Sequence, residues 1–346
     1  MTAQTTGGTR TGQASTGSLI GLALGDALGY PTEFSDVPRI LTAYGPWREM
    51  SLPEPALVTD DTQMTLALGR GIRTAMARGP LDAATLEGPV REEFVAWYHS
   101  PENTRAPGRT CLVACGLLDS DRPWQQASQL GSKGCGANMR VAPLGLVPGL
   151  GDEQRAGAAQ LQSALTHGHP TALAASDLTA CAVHLLAAGA EPLGLVGLLR
   201  SYAYENRSRY HHEWLGDLWT YSRDSQDTTP ERFIERGWDE CLGILERLQQ
   251  ALRTPSPETD PCLATGDGWI AEEALATALH CFLLFPEDPV TALRRAACTK
   301  GDSDSLACLA GAFAGARLGV AAWPAAWAGR IEYRSELLAL GALWDA

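Results

Sequence analysis

With 346 residues, 45% hydrophobic and 19% charged, the chain has the length and composition to bury a large core in one or two domains. A formal net charge of −13 and the lack of any Lys/Arg run argue against a surface built to track a phosphate backbone. Nine cysteines, an odd number with no CxxC pair, argue against a disulfide framework; they read as small core residues of a reducing, cytoplasmic protein.

Residues 1–16, rich in Thr, Gly and Ser, lack the apolar stretch of a signal peptide and are expected to form a disordered tail. One domain is expected over 17–346, with no segment long and apolar enough to cross a bilayer. The first helical pattern, "GLALGDALGYPTEF", aligns Gly21, Gly25 and Gly29 on one face, which permits close approach of a second helix. Asp26 stands within it, and Glu33 follows a turn. Next comes "VTDDTQMTLALGRGI", where Thr59, Asp60, Asp61 and Thr62 precede an apolar-periodic run. "PVREEFVAWYHS" is helical. "GSKGCGANMRVAPLG" is glycine-rich and irregular, with a basic residue at each end of "KGCGANMR". It lacks the order of a Walker A loop, and an ordinary loop competes with a nest of N–H groups for phosphate. "LTHGHP" carries His167 and His169 ahead of the helical "LAASDLTACAVHLLAAG". His211 and His212 read as surface residues, and "RTPSPETDPCLATGDG" as a surface loop. "ERFIERGWDECLGILERLQQAL", "IAEEALATALHCFLLF" and "SLACLAGAFAGARLG" complete the helices. Runs of alternating β-branched residues are nearly absent, so the fold class expected is all-α, a compact bundle of many helices.

The last of these helices is entered through "GDSDS". Asp302 and Asp304, like Asp60 and Asp61, sit beside hydroxyls at the start of a small-residue helix. Each pair alone reads as an N-cap, since Asp, Ser and Thr accept from the free amides of a first turn. A cap needs one residue, however, and each motif supplies two acids. If the two helix starts meet, four aspartates converge and require a cation. Carboxylate and hydroxyl oxygens form a hard ligand set suited to Mg²⁺, Mn²⁺ or Ca²⁺.

Six segments occur in the order that resembles the ADP-ribosylglycohydrolases: "GLALGDALGYPTEF", "TDDTQMTLAL", "GSKGCGANMRVAPLG", "LTHGHP", "GDGWIAEEALATALHCFL" and "GDSDSLACLAGAFAGARLG". The resemblance implies an all-α fold around a dinuclear Mg²⁺ or Mn²⁺ centre. It implies Thr59, Asp60, Asp61, Asp302, Asp304 and Ser305 as metal-ligand positions, and catalytic work for Glu33, Asp61 and Asp302. It implies that the loop Ser132, Gly134, Cys135, Gly136 and Met139 cradles the diphosphate and distal ribose, and that His167 contacts the ligand. The implied reaction removes ADP-ribose from a protein side chain or another ADP-ribosylated acceptor by cleaving the glycosidic bond. The implied partner is an ADP-ribosylated protein or small molecule; the charge does not indicate a nucleic-acid substrate, and a monomer away from membranes is expected. One departure is that Ala106-Pro107 stands where the dinitrogenase-reductase-activating branch carries an Asp, although Gly108 and Thr110 follow. The alternatives are a two-metal phosphoesterase or pyrophosphatase acting on an ADP-ribose-like nucleotide, and a non-catalytic ADP-ribose-binding protein.

Overall fold

The structure, a computed structural model, describes residues 12–120 and 122–346. The longer helices in chain order are α1 (Ala14–Gly29), α2 (Val37–Tyr44), α3 (Asp60–Arg78), α4 (Ala83–Tyr98), α5 (Arg109–Leu118), α6 (Asp152–Ala164), α7 (Pro170–Ala187), α8 (Pro192–Asn206), α9 (Pro230–Ala251), α10 (Ala271–Leu284), α11 (Pro289–Ala297), α12 (Ser303–Leu318) and α13 (Arg334–Asp345). Among the described residues there is no strand; pairing is limited to two isolated bridges, Ala56 with Ile331 and Gly134 with Ile270. The all-α expectation holds.

The glycine stripe of α1 sets the frame. A Cβ on Gly21 would lie 2.4 Å from the carbonyl of Gly311, and one on Gly25 only 1.9 Å from that of Ala307. A Cβ on Gly29 would meet the Ser303 carbonyl at 2.3 Å. The pairs step by four residues in opposite directions, so α1 and α12 run antiparallel with their backbones in contact. The C-terminus of α1 is thereby carried to the N-terminus of α12. Glu33, one short 3₁₀ turn (Tyr30–Thr32) beyond α1, must arrive beside Asp302–Ser305. The Thr32 hydroxyl pins that turn, lying 2.7 Å from the Ala297 carbonyl and 3.0 Å from the Ser303 hydroxyl.

Four expectations are corrected. Residues 14–16, placed in the tail, form the buried first turn of α1, because Asp345 accepts from the Ser15 and Thr16 amides at 2.7 and 3.0 Å; residues 1–11 lie outside the described residues. Helix α7 is long and apolar enough to span a bilayer, but 89% of that window is buried inside the fold, as in the core helix of a globular protein. His211 is buried, packed at the entry to the short helix His212–Leu215. The "PCLATGDG" end of the supposed surface loop turns inward, burying Cys262 and Thr265 and placing the Asp267 carbonyl 2.8 Å from the Asp302 amide. All nine cysteines are free and buried, as expected.

Candidate active site

Two helix starts and one turn supply the acids. Thr59 is the N-cap of α3, its hydroxyl accepting from the Asp61 amide at 3.3 Å. Part of the capping reading is therefore right, and it frees Asp60 and Asp61 for other work. Asp302 occupies the N-cap position of α12, but its carboxylate makes no cap hydrogen bond. That carboxylate instead gathers with those of Glu33 and Asp304, oxygens from all three lying within 4.8 Å of one another. Glu33 apart, which is half-buried, these acids are shielded from solvent.

Like charges at such range cannot all ionise without compensation. Burial, then the charge of Asp304 and then that of Asp60, push the Glu33 carboxyl up to about 9. Burial lifts Asp60 to about 7, resisted by the Gly108 amide, which donates to Oδ2 at 3.0 Å. Asp61 and Asp302 are pushed well above the carboxylate range by burial and then by Asp304. Asp304 is raised by burial, while bonds from Asp302 and the Ser305 amide work against the shift. None of these acids forms an ion pair among the described residues. The buried Oδ1 of Asp61 has no hydrogen-bond partner at all.

Sequence reasoning noted Asp26 and gave it no role. Fully buried on α1, its carboxylate accepts from the Thr59 amide and hydroxyl at 3.0 and 2.9 Å, and from the Thr62 amide and hydroxyl at 3.0 and 2.5 Å. Asp26 thus ties α1 to the start of α3 and fixes Thr59, Asp60 and Asp61 in place. An acid inside a stripe of small residues was the available signal, because such a helix has nowhere to solvate it. Glu332 was missed altogether. It accepts from the Val58 amide at 2.9 Å and from both terminal nitrogens of Arg105 at 2.5 and 3.1 Å. One carboxylate therefore joins the segment entering α3 to the loop whose Gly108 amide bonds Asp60. Only the fold brings residues so distant in sequence together.

The glycine-rich loop lies alongside. The Cys135 amide donates to the Trp269 carbonyl at 3.1 Å, and Gly134 pairs with Ile270. The Cys135 thiol is buried against Ser305, its ionisation opposed by burial and then by Asp302 and Asp61. Met139 is buried with its sulfur 3.9 Å from the Ser305 hydroxyl. Gly136 must be glycine: a Cβ would lie 2.7 Å from the Cys111 sulfur and 2.9 Å from His167. His167 is buried behind the loop, bonded through Nδ1 to Thr166 at 2.8 Å, and burial holds it neutral with its pKa down at about 3. Neither basic end of the loop is free for phosphate. Lys133 is held by Glu240 and Glu272 at 2.7 and 2.5 Å, and Arg140 is buried with Gln162 and Thr166. A cavity of about 800 Å³ opens next to the loop. Ser132 and Thr110, 2.9 Å apart, line it together with Arg109, Arg223 and Arg236. The histidine on its wall is His169, not His167.

The donor set suits a hard divalent cation: carboxylates and two hydroxyls, crowded enough to demand positive charge, with one buried oxygen lacking any donor.

The ADP-ribosylglycohydrolase family profile matches residues 9–346. The chain is 30% identical over 234 residues to the ADP-ribosyl-[dinitrogen reductase] glycohydrolase of Rhodospirillum rubrum, covering 65% of this chain and 76% of that protein. It is 28% identical over 336 residues to ADP-ribosylhydrolase ARH3 of Homo sapiens, covering 90% and 87%. A solved structure described as an ADP-ribosylglycohydrolase-related protein complex shares the fold, with a TM-score of 0.67 at 23% identity over 96% of this chain and 97% of that one.

Proposed function

The chain belongs to the ADP-ribosylglycohydrolase family, and on that premise we propose that it hydrolyses the bond between the anomeric ribose carbon of ADP-ribose and an acceptor group, using two Mg²⁺ or Mn²⁺ ions. The observation that carries this reading is the gathering of Glu33, Asp302 and Asp304, with Asp60 and Asp61 near enough to feel their charge, no paired cation, and Asp61 Oδ1 buried and unpartnered. Thr59, Asp60, Asp61, Asp302, Asp304 and Ser305 would hold the ions. Bound there, divalent ions supply fixed positive charge that orients sugar hydroxyls and a water molecule.

The remaining work falls to the chain. In the reaction the bond from the anomeric carbon to the acceptor breaks, the oxygen of water takes its place, and the acceptor leaves with a proton. Such cleavage passes through an oxocarbenium-like transition state, and carboxylates beside the sugar stabilise its positive charge. Glu33 is the acid best placed for the proton. It is half-buried and reaches the cluster from the solvent side, and burial favours its protonated form. The adjoining cavity is large enough for the nucleotide half, with Gly131 and Ser132 of the glycine-rich loop on its wall. Asp26 and the Gly108 amide keep the α3 acids oriented, a role the Ala106-Pro107 departure leaves untouched.

The test is product identity. Purified protein is incubated with arginine- and serine-ADP-ribosylated proteins and O-acetyl-ADP-ribose, with Mg²⁺, Mn²⁺ or EDTA, and the products are separated by chromatography. The expected result is metal-dependent release of intact ADP-ribose from at least one substrate. Appearance of AMP and a ribose phosphate would instead assign a pyrophosphatase, and tight ADP-ribose binding without turnover a binding protein.

A further inference from the structure

We propose that His169, Arg236 and Arg223 form an anion site in the cavity, built from elements other than the glycine-rich loop, and that it takes a phosphomonoester-like dianion: a phosphate carried on the 2′-hydroxyl of the adenosine ribose, or inorganic phosphate. The site stands on its own geometry; only the assignment of that phosphate to the substrate rests on the glycohydrolase reading.

His169 is the N-cap of α7, and its Nδ1 accepts from the Thr171 amide at 3.2 Å. Its other ring nitrogen, Nε2, lies 3.1 Å from Arg236 Nη1. A guanidinium only donates, and a neutral imidazole has one acceptor nitrogen. Two donors therefore compete for one acceptor. Thr171 is fully buried, so leaving its amide unpaired is the costlier choice. The Nδ1 lone pair stays with that amide, and the ring carries its proton on Nε2. There Nε2–H faces the Arg236 N–H, donor against donor. Protonating the ring brings no relief, because it sets a second donor against Thr171; burial and then Arg236 hold the pKa down at about 4. What completes the arrangement is an acceptor beside both N–H groups, and His169 and Arg236 both lie on the cavity wall.

Arg236 is held in this position. Its Nε and Nη2 donate to buried Asp227 at 3.2 and 2.7 Å. Asp224 comes within 3.8 Å of Nη1, beyond hydrogen-bond range. The Ser222 hydroxyl donates to the same Asp227 carboxylate and so places the next residue, Arg223. Arg223 and Arg109 line the same cavity and make no ion pair among the described residues. In a chain of net charge −13, this wall is a local reversal of sign.

Chemistry selects the occupant. Fixed N–H donors backed by guanidinium charge match phosphate oxygens. A phosphomonoester offers three acceptor oxygens and roughly two negative charges at neutral pH. With the diphosphate at Gly131 and Ser132 of the loop, His169 and Arg236 are left for a further phosphate. ADP-ribose has none, whereas its 2′-phosphorylated form carries one on the nucleotide half. An adenine ring or a sugar hydroxyl brings no charge to Arg223.

The experiment uses the full chain. Binding of ADP-ribose, ADP-ribose 2′-phosphate and inorganic phosphate is measured by calorimetry in Mg²⁺ and again in EDTA. In parallel the His169 ring nitrogens are followed by ¹⁵N-edited NMR, assigned by their loss in His169→Asn, which keeps a capping side chain for Thr171. ADP-ribose 2′-phosphate is expected to bind roughly 10- to 100-fold tighter than ADP-ribose, the range of a charge-assisted hydrogen bond. Arg236→Gln should bring that ratio close to one. Arg223→Ala, at an exposed residue whose loss strands no buried group, should lower it as well. The 2′-phosphate should move Nε2 and leave Nδ1 nearly still. If instead the ratio is near one and inorganic phosphate alone moves Nε2 to saturation, the site holds and its occupant is free phosphate. The proposal is overturned if neither phosphate moves Nε2. It is overturned too if plain ADP-ribose moves Nε2 as far, which gives the site to the diphosphate, or if the effect vanishes in EDTA, which gives it to the metal centre. None of these readouts needs turnover. Wild type that binds phosphate this way and releases ADP-ribose from nothing keeps the site and loses the glycohydrolase reading; turnover with Nε2 unmoved does the reverse.

Discussion

Two regions of this protein that hold buried carboxylates treat them oppositely. On α7, Asp177 is fully buried and alone. The Gln160 amide donates to it at 2.9 Å and the Tyr202 hydroxyl at 2.8 Å, and Arg155 lies near. Burial raises it only to about 6, because those donors and that charge pull it back. At the starts of α3 and α12 the count reverses. Several acids face one another, few donors reach them, and one oxygen has none. Burial alone does not mark a functional acid. What distinguishes the second region is the shortage of protein groups that could neutralise it, and the proposed metal site rests on that shortage. Asp26 lies between the two cases: it belongs to the cluster by position and, like Asp177, accepts hydrogen bonds from protein donors, here the amides and hydroxyls of Thr59 and Thr62.

The contrast is open to direct attack. The largest effect is expected at Asp61, whose buried Oδ1 has no donor, and at Asp302 in the acid cluster. Asp61→Asn and Asp302→Asn should each lower kcat by more than about 100-fold, beyond the range usual for outer partners of a metal site. Circular dichroism should show the helices intact. Asp177→Ala should leave turnover unchanged and instead lower stability, by about 1–3 kcal/mol for each buried donor it strands, read from urea unfolding. Loss of activity in Asp177→Ala at full stability would erase the distinction. Next comes Asp26→Asn, which weakens the hold on Thr59 and Thr62. Metal affinity should fall by roughly 10–100-fold. A smaller loss, up to about tenfold, is expected for Glu332→Gln, which keeps an acceptor for the Val58 amide but gives up the charge facing Arg105. A merely structural Glu332 would lower the melting temperature without moving the affinity for Mn²⁺.

The smallest effect is in pH. Groups whose folded pKa is raised bind more protons when folded than when unfolded, so their contribution to stability is present at low pH and fades as pH rises through the folded value. Asp177 acts only between about 4 and about 6, whereas Glu33 extends the window to about 9. The melting temperature in EDTA should therefore keep falling between pH 6 and 9. Excess Mg²⁺ should flatten that slope, and Asp177→Ala should not.

Much of this was legible in the sequence, for reasons that differ by residue. Gly21, Gly25 and Gly29 announced a helix contact because spacing by four is a local property, although the partner helix could not be read. The doubled acids at Asp60-Asp61 and Asp302–Asp304 exceeded what a cap needs, which pointed to their meeting. Glu33 could be carried only by resemblance; its place beside Asp304 follows from the antiparallel register of α1 and α12. The basic ends of the glycine-rich loop could not be given a role from the sequence, which does not show that Glu240 and Glu272 hold Lys133 and that Gln162 holds Arg140. His211 misled, looking like a surface residue in a polar stretch while tertiary packing buries it. Glu332, more than 200 residues from Arg105, left no local trace.

The central claim is that the acids of α3 and α12 are completed by divalent cations. The most direct measurement is isothermal titration of Mn²⁺ into wild type, Asp61→Asn, Asp302→Asn and Asp177→Ala. The account predicts saturable binding in wild type and Asp177→Ala that is lost or greatly weakened in the other two. Wild-type protein that binds no Mn²⁺, or binding that survives in Asp61→Asn and Asp302→Asn alike, would contradict it.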